Sequence, residues 1–179
     1  IAVCQGLLRI YCIEKTKSVA LTPAITPGKR VYHTFGNFVP GGVITPDQLC
    51  NAAFEKPPGV VSAGALIARP TSTALSLLDP QALSVRVDGQ VVGTGAELAA
   101  FTNLRSGIWQ MGNGTYFNPT VWTGSSTPTT LGTNTSTCNN WTLTTGSGVA
   151  GRATAQSPAW WNFFTRNCTG AYQLYCFER

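Results

Sequence analysis

Residues 168–178 read CTGAYQLYCFE, and residues 4–14 read CQGLLRIYCIE. Aligned from their first cysteines, the two stretches share Cys, Gly, Tyr, Cys and Glu at the same offsets, and the residues between match in apolar character. QLYCFE reads as a short strand, the last of several separated by Gly, Ser, Thr and Asn. The N-terminal stretch is then a second copy of a domain's last strand, carried without the rest of that domain. A strand needs a body to pair with. Three arrangements satisfy that need: the tail of an upstream tandem domain, a strand inserted into a neighbouring subunit, or a local hairpin closed by Cys4 and Cys12. In the first two, main-chain hydrogen bonds supply affinity, and the alternating side chains of Leu8, Ile10 and Tyr11 set the register.

The surroundings of the two copies narrow the class of protein. A chain of 179 residues that is 43% hydrophobic and only 11% charged has material for one ordinary domain, or one and a fragment, and is not a disordered tail. Its 19 Gly and 11 Pro, spread among Val, Leu, Thr and aromatic residues, read as rich in strands and turns. Seven acidic residues and one histidine leave little from which to build a catalytic or metal site. The formal charge of +5 is uneven: Arg9, Lys15, Lys17, Lys29 and Arg30 face only Glu14 in the first 46 residues. Six cysteines with no CxxC pair and no Cys/His cluster at zinc spacing fit a disulfide framework, and hence an oxidising compartment. Asn113, Asn134, Asn140 and Asn167 begin formal glycosylation sequons, a weak signal in so Thr-rich a chain. Ile1 opens the sequence without a signal-type pattern, so an export signal is expected upstream or already removed. No apolar run approaches a membrane span. The expectation is a secreted or surface-exposed product, with neither membrane insertion nor nucleic acid among its partners.

Local patterns place the elements. Residues 15–44 carry prolines and glycines at a spacing that suits a linker, with one short strand around Arg30 to Phe35. Thr45-Pro46-Asp47-Gln48 is a helix start, with Thr as N-cap, Pro at the first helical position and Gln three residues on. The helix is expected to run through Phe54 and stop before Pro57-Pro58. A weaker helical stretch spans Ser72 to Leu78, and GAELAAF suits one helical turn or two. LSVRV before Asp88-Gly89 alternates like a strand entering a turn. From Gly107 onward short strands are expected at GIWQM, TVWTG, NNWTL, WNFFT and QLYCFE. Early helices and late strands make an α+β domain.

The succession LCNAA, SVRVDG, VWTGS, TCNNWT and NCTGAYQLYCFE resembles a bacterial extracellular domain family of unassigned function. It is similar, more remotely, to endostatin, the C-terminal module of collagen types XV and XVIII. The likeness covers roughly residues 30–179 and implies a C-type-lectin-like or endostatin-like fold: two early helices and a twisted, mostly antiparallel sheet, with residues 1–29 as an arm and linker. It also implies that Cys50 pairs with Cys176 and Cys138 with Cys168, the outer bridge closing a loop whose constraint is worth about 4 to 5 kcal/mol. Cys4 and Cys12 have no counterpart in that domain. By the repeat they correspond to Cys168 and Cys176, and they bond either each other or a second domain.

The candidate chemistry is thin. C-type lectins that bind sugar through calcium use a Glu-Pro-Asn or Gln-Pro-Asp triplet followed by Trp-Asn-Asp, and this chain has neither. Asn139 and Asn140 sit near the place of the second triplet without its carboxylate. His33 has no neighbouring ligand, so no metal site is assigned. There is no nucleophile elbow, phosphate loop or acidic pair, and hence no enzyme and no cofactor is expected. Trp122 and Trp141 are expected in the core. Trp160 and Trp161, adjacent and so on opposite faces of a strand, are expected to expose one member, and with Asn139 and Asn140 they form the candidate glycan site. Arg69, Arg86, Arg105, Arg152 and Arg166 would make a glycosaminoglycan site only if the fold clusters them. The reading is a non-enzymatic extracellular module whose arm docks on a copy of itself or on a tandem neighbour. The alternative is a calcium-independent glycan-binding adhesin using the loops around residues 112–148.

Overall fold

The computed structural model describes residues 26–179. Cys4, Leu8, Ile10, Tyr11 and Cys12 of the expected arm lie outside the described residues. The order of elements is β1 (Lys29–His33), α1 (Pro46–Asn51), β2 (Ala63–Ala65), a 3₁₀ turn (Ala74–Leu77), β3 (Leu83–Val85), β4 (Val91–Thr94), α2 (Gly95–Ala99), β5 (Thr120–Trp122), β6 (Ser147–Arg152), a second 3₁₀ turn (Pro158–Trp160), β7 (Phe164–Asn167) and β8 (Gln173–Glu178). The class is α+β, dominated by sheet.

The strands form one sheet in the order β4-β3-β1-β8-β5-β6-β7, with β2 added on β8. Parallel pairing is confined to β1 with β3 and β5 with β8; the remaining pairs are antiparallel. β8 is the hub. β1 runs along one of its edges from Tyr175 to Phe177, while the other edge takes β5 at Gln173 and Leu174 and then β2 from Cys176 to Glu178.

Alternation along the strands divides the core in two. Tyr32, Ala65, Trp122, Leu174 and Cys176 face one cluster, and Val31, Leu66, Val121, Tyr175 and Phe177 face the other. A strand buried on both faces has no polar side to show, which is why Leu174-Tyr175-Cys176-Phe177 reads as an unbroken apolar run. Both clusters contribute their largest residues to this centre: Trp122 below it, Trp160 and Trp161 above.

The two helices are short and capped as their sequences direct. Thr45 Oγ1 accepts from the Gln48 N–H and Gln48 Oε1 from the Thr45 N–H; Thr94 and Glu97 make the same reciprocal pair in α2. α1 stops at Asn51 rather than continuing through Phe54, because Ala52 turns extended. The following turn folds Glu55 back so that its carboxylate accepts the N–H groups of Phe35 and Gly36. The stretch at 72–78 is a single 3₁₀ turn. LSVRV becomes the β3–β4 hairpin, with the Gly89 N–H donating to the Arg86 carbonyl.

Three expected strands differ. GIWQM is held by single bridges, His33 to Met111 and Gln110 to Tyr116, rather than by a ladder. NNWTL is a left-handed turn, described below. WNFFT begins at the C-cap of the 3₁₀ turn, Trp161, and enters the sheet only at Phe164. Trp160 and Trp161 therefore do not point to opposite faces. Both enter the second cluster fully buried, their rings 5.3 Å apart, so neither presents a face to solvent.

Candidate functional site

β8 is paired along both edges and carries one disulfide anchor, Cys176; the other, Cys168, lies in the turn that leads into it. Cys50, in the last turn of α1, bonds Cys176, and Cys138 bonds Cys168, with Cα separations of 5.4 and 5.6 Å. The pairing is the nested one that the resemblance implies. The bridges close loops of 126 and 30 residues, which loop-closure entropy values at about 5 and about 4 kcal/mol. Polar groups of the strand are placed as carefully. The Tyr175 hydroxyl donates to the Trp160 carbonyl at 2.9 Å, and burial pushes that phenol well above its ordinary pKa. Glu178 Oε2 accepts the Arg30 N–H at 2.8 Å. At the strand's end Arg179 Nη2 meets Asp47 Oδ1 at 3.1 Å, and its carbonyl accepts from Lys29 Nζ at 2.9 Å. The sheet's first strand therefore starts beside the place where its last one ends.

Next to this strand lies the turn Cys138–Trp141. Its four residues have φ values of +50, +53, +56 and +66, all left-handed, a conformation that costs a non-glycine residue about 1 to 2 kcal/mol and that Asn tolerates best. Several anchors hold it. Cys138 is tied to Cys168, the Asn140 N–H donates to Thr137 Oγ1 at 2.9 Å, and Trp141 Nε1 donates to the Ala68 carbonyl at 3.0 Å. Trp141 packs edge-on against Trp122, with centroids 5.6 Å apart, and both are buried as expected of core residues. Asn139 and Asn140 are thrust into solvent, where Asn139 Nδ2 reaches Thr142 Oγ1 at 3.3 Å.

Asn140, Trp141 and Thr142 form one wall of a groove of about 450 Å³ whose other wall is the loop from Gly41 to Asp47. Asp47 is its charged centre: Oδ2 meets Arg69 Nη2 at 3.0 Å and Oδ1 accepts the Ala65 N–H at 2.9 Å. The loop wall is apolar at its rim, with Val43 99% and Ile44 52% exposed. The groove brings together Asn140 of the expected glycan residues with the Asp47–Arg69 pair. Trp160 and Trp161 are elsewhere, in the core. Sequence reading missed the groove because its walls lie nearly a hundred residues apart.

The five arginines do not gather. Arg69 is paired with Asp47, Arg86 with Asp88 and Arg105 with Glu97. Arg152 and Arg166 share one neighbour, the Phe164 ring, at 5.6 and 3.9 Å from its centroid, and Arg152 lies closer still to Phe163, at 4.2 Å. His33 is fully buried, its Nδ1 2.9 Å from the Thr34 carbonyl, and burial holds its pKa below the ordinary imidazole value. Among the described residues no group of three or more His, Cys, Asp or Glu side chains is placed to hold a metal, and no helix is long and apolar enough to cross a membrane. The two disulfides suit an oxidising compartment. No protein-family model matches the chain, and no curated protein matches it.

Proposed function

We propose that the protein is a non-enzymatic, C-type-lectin-like module of an extracellular assembly, in which the strand at residues 4–14 docks on a neighbouring domain. One observation carries the reading: the segment that residues 4–14 duplicate, residues 168–178, contains the hub strand β8, and its edges, faces and two cysteines are all engaged within the described residues. A duplicate of such a strand finds no vacancy among the described residues, and its apolar sequence, Leu7-Leu8, Ile10-Tyr11 and Ile13, suits the inside of a sheet rather than a surface hairpin. The nested disulfides and the sheet-dominated α+β architecture support the lectin-like part, and the disulfides support an extracellular location. Peptide mapping without reduction tests the docking. Cys50–Cys176 and Cys138–Cys168 peptides are expected, with Cys4 and Cys12 not bonded to each other. A Cys4–Cys12 bond would make the segment a local hairpin and end this reading.

A second reading, calcium-independent glycan binding, is favoured by the groove between Asn140 and Asp47, where amide, hydroxyl and ion-paired groups line a depression wide enough for a sugar unit. A glycan array with the full chain and with Asn140→Ala tests it. Signals that vanish in the variant support the groove, and an array without signals rejects it.

A further inference from the structure

The strand-docking reading leaves the partner unnamed, and the geometry of β8 narrows it. Five of the eleven positions are identical, and although Leu8 stands where the Tyr172 ring packs on Trp122, residues 4–14 keep the cysteines, buried apolar positions and polar groups that hold β8. Cys4 and Cys12 stand where Cys168 and Cys176 form their bridges, and Ile10 and Ile13 stand where Leu174 and Phe177 enter opposite clusters. The two polar groups are also retained. Tyr11 repeats the hydroxyl that donates to the Trp160 carbonyl, and Glu14 repeats the carboxylate that accepts the Arg30 N–H. Even the next residue, Lys15, keeps the positive charge by which Arg179 reaches Asp47. A strand lying on a surface has no use for a tyrosine hydroxyl aimed at a buried carbonyl, so the retention specifies the same kind of slot.

Counting then excludes one partner. Residues 1–179 carry two copies of the strand sequence and, among the described residues, one slot, which is filled by β8. If the arm of one molecule displaced β8 of another, the displaced strand would become the surplus, so in any assembly of residues 1–179 alone one copy per molecule stays unplaced. We infer that residues 4–14 complete a domain of this same fold that lacks its own last strand and offers free counterparts of Cys50 and Cys138, rather than a second copy of this chain. The inference rests on the strand-docking reading and adds to it the identity of the acceptor.

Three forms of the full chain test it. The unaltered chain, refolded oxidatively, is expected to remain monomeric in light scattering, with Cys4 and Cys12 titrating as thiols. Self-association through Cys4–Cys138 and Cys12–Cys50 bonds would keep the docking reading and overturn the acceptor. The variant Cys168→Ser/Cys176→Ser cannot staple β8. Because β8 ends beside Lys29, residues 15–28 have only to turn back for the arm to reach the vacated slot. Cys4–Cys138 and Cys12–Cys50 peptides are therefore expected, and a Cys4–Cys12 peptide would overturn both reading and inference. Should that variant not fold, a graft decides: residues 168–178 rewritten as residues 4–14 by Thr169→Gln, Ala171→Leu, Tyr172→Leu, Gln173→Arg, Leu174→Ile and Phe177→Ile. A graft that forms both native bridges and melts within a few degrees of the parent supports the inference. A graft that does not fold shows that the copy does not fit this slot and overturns it.

Discussion

Glycines decide how closely the chain can fold around β8. Gly151 of β6 lies against the Trp160 backbone, where an added Cβ would overlap the carbonyl, and Gly148 lies 2.8 Å, by its hypothetical Cβ, from the Trp122 ring. Gly151→Ala is therefore expected to lower stability by about 2 to 3 kcal/mol, an overpacking cost, read as a shift in the urea midpoint; an unchanged midpoint would mean that the turn at Pro158–Trp160 gives way easily. Two buried titratable groups make stability depend on pH in opposite senses. His33 has its folded pKa below the unfolded value of 6.5, so the unfolded chain binds the proton first and stability falls as pH drops below 6.5. Glu55, raised above 4.5 by burial against the pull of the Phe35 and Gly36 N–H groups, stays protonated when the unfolded chain has already ionised. Its contribution is greatest below 4.5 and is lost as pH rises through its folded pKa. His33→Leu is expected to flatten the acid-side loss measured by unfolding between pH 4 and 7, and a slope unchanged in that variant would assign the loss elsewhere.

At the scale of elements, β8 and its anchors dominate. Cys50→Ser/Cys176→Ser opens the 126-residue loop and Cys138→Ser/Cys168→Ser the 30-residue loop. Both are expected to destabilise, the first by about 5 kcal/mol and the second by about 4 kcal/mol on loop entropy alone. Calorimetry that ranks the inner bridge above the outer would show that the left-handed turn at Cys138, rather than loop closure, sets the cost. The connection from α1 to β2 is governed by Asp47, which joins a main-chain N–H and two guanidiniums. Asp47→Ala leaves the Ala65 N–H without its acceptor and is expected to cost about 1 to 3 kcal/mol, together with loss of the charged wall of the groove. α1 itself is legible before folding, since Thr45, Pro46 and Gln48 form a complete capping signal. Its end at Asn51 is not, because Glu55 is drawn away by tertiary contact to the Phe35 and Gly36 N–H groups just after β1.

For the whole molecule, the separation of arm from domain is the property most open to experiment. The described residues bury two clusters on the two faces of one sheet, and every position of β8 is supplied from within residues 26–179. Deleting residues 1–14 is accordingly expected to leave the melting temperature and both disulfides unchanged. A drop of several degrees would place those residues in the domain's own packing. The groove at Asn140 is lined by residues between Phe38 and Thr142, so a deletion of residues 1–14 that altered binding in the glycan test proposed for it would also count against an independent arm.

Local physical chemistry, acting over a few residues, determined the two capping boxes, the Asp88-Gly89 hairpin and the apolar run of β8, and each of these is readable in the sequence because its cause lies within about ten positions; the repeat of residues 168–178 at 4–14 is legible as sequence alone. The tertiary structure alone decided the rest. Trp160 and Trp161 both turn inward because a 3₁₀ turn, not a strand, carries them into the second cluster. Cys138–Trp141 adopts four left-handed residues because a disulfide, a buried indole and Thr137 overrule local preference. The groove exists because the loop before α1 is packed against that turn, a contact between segments nearly a hundred residues apart that no local pattern encodes.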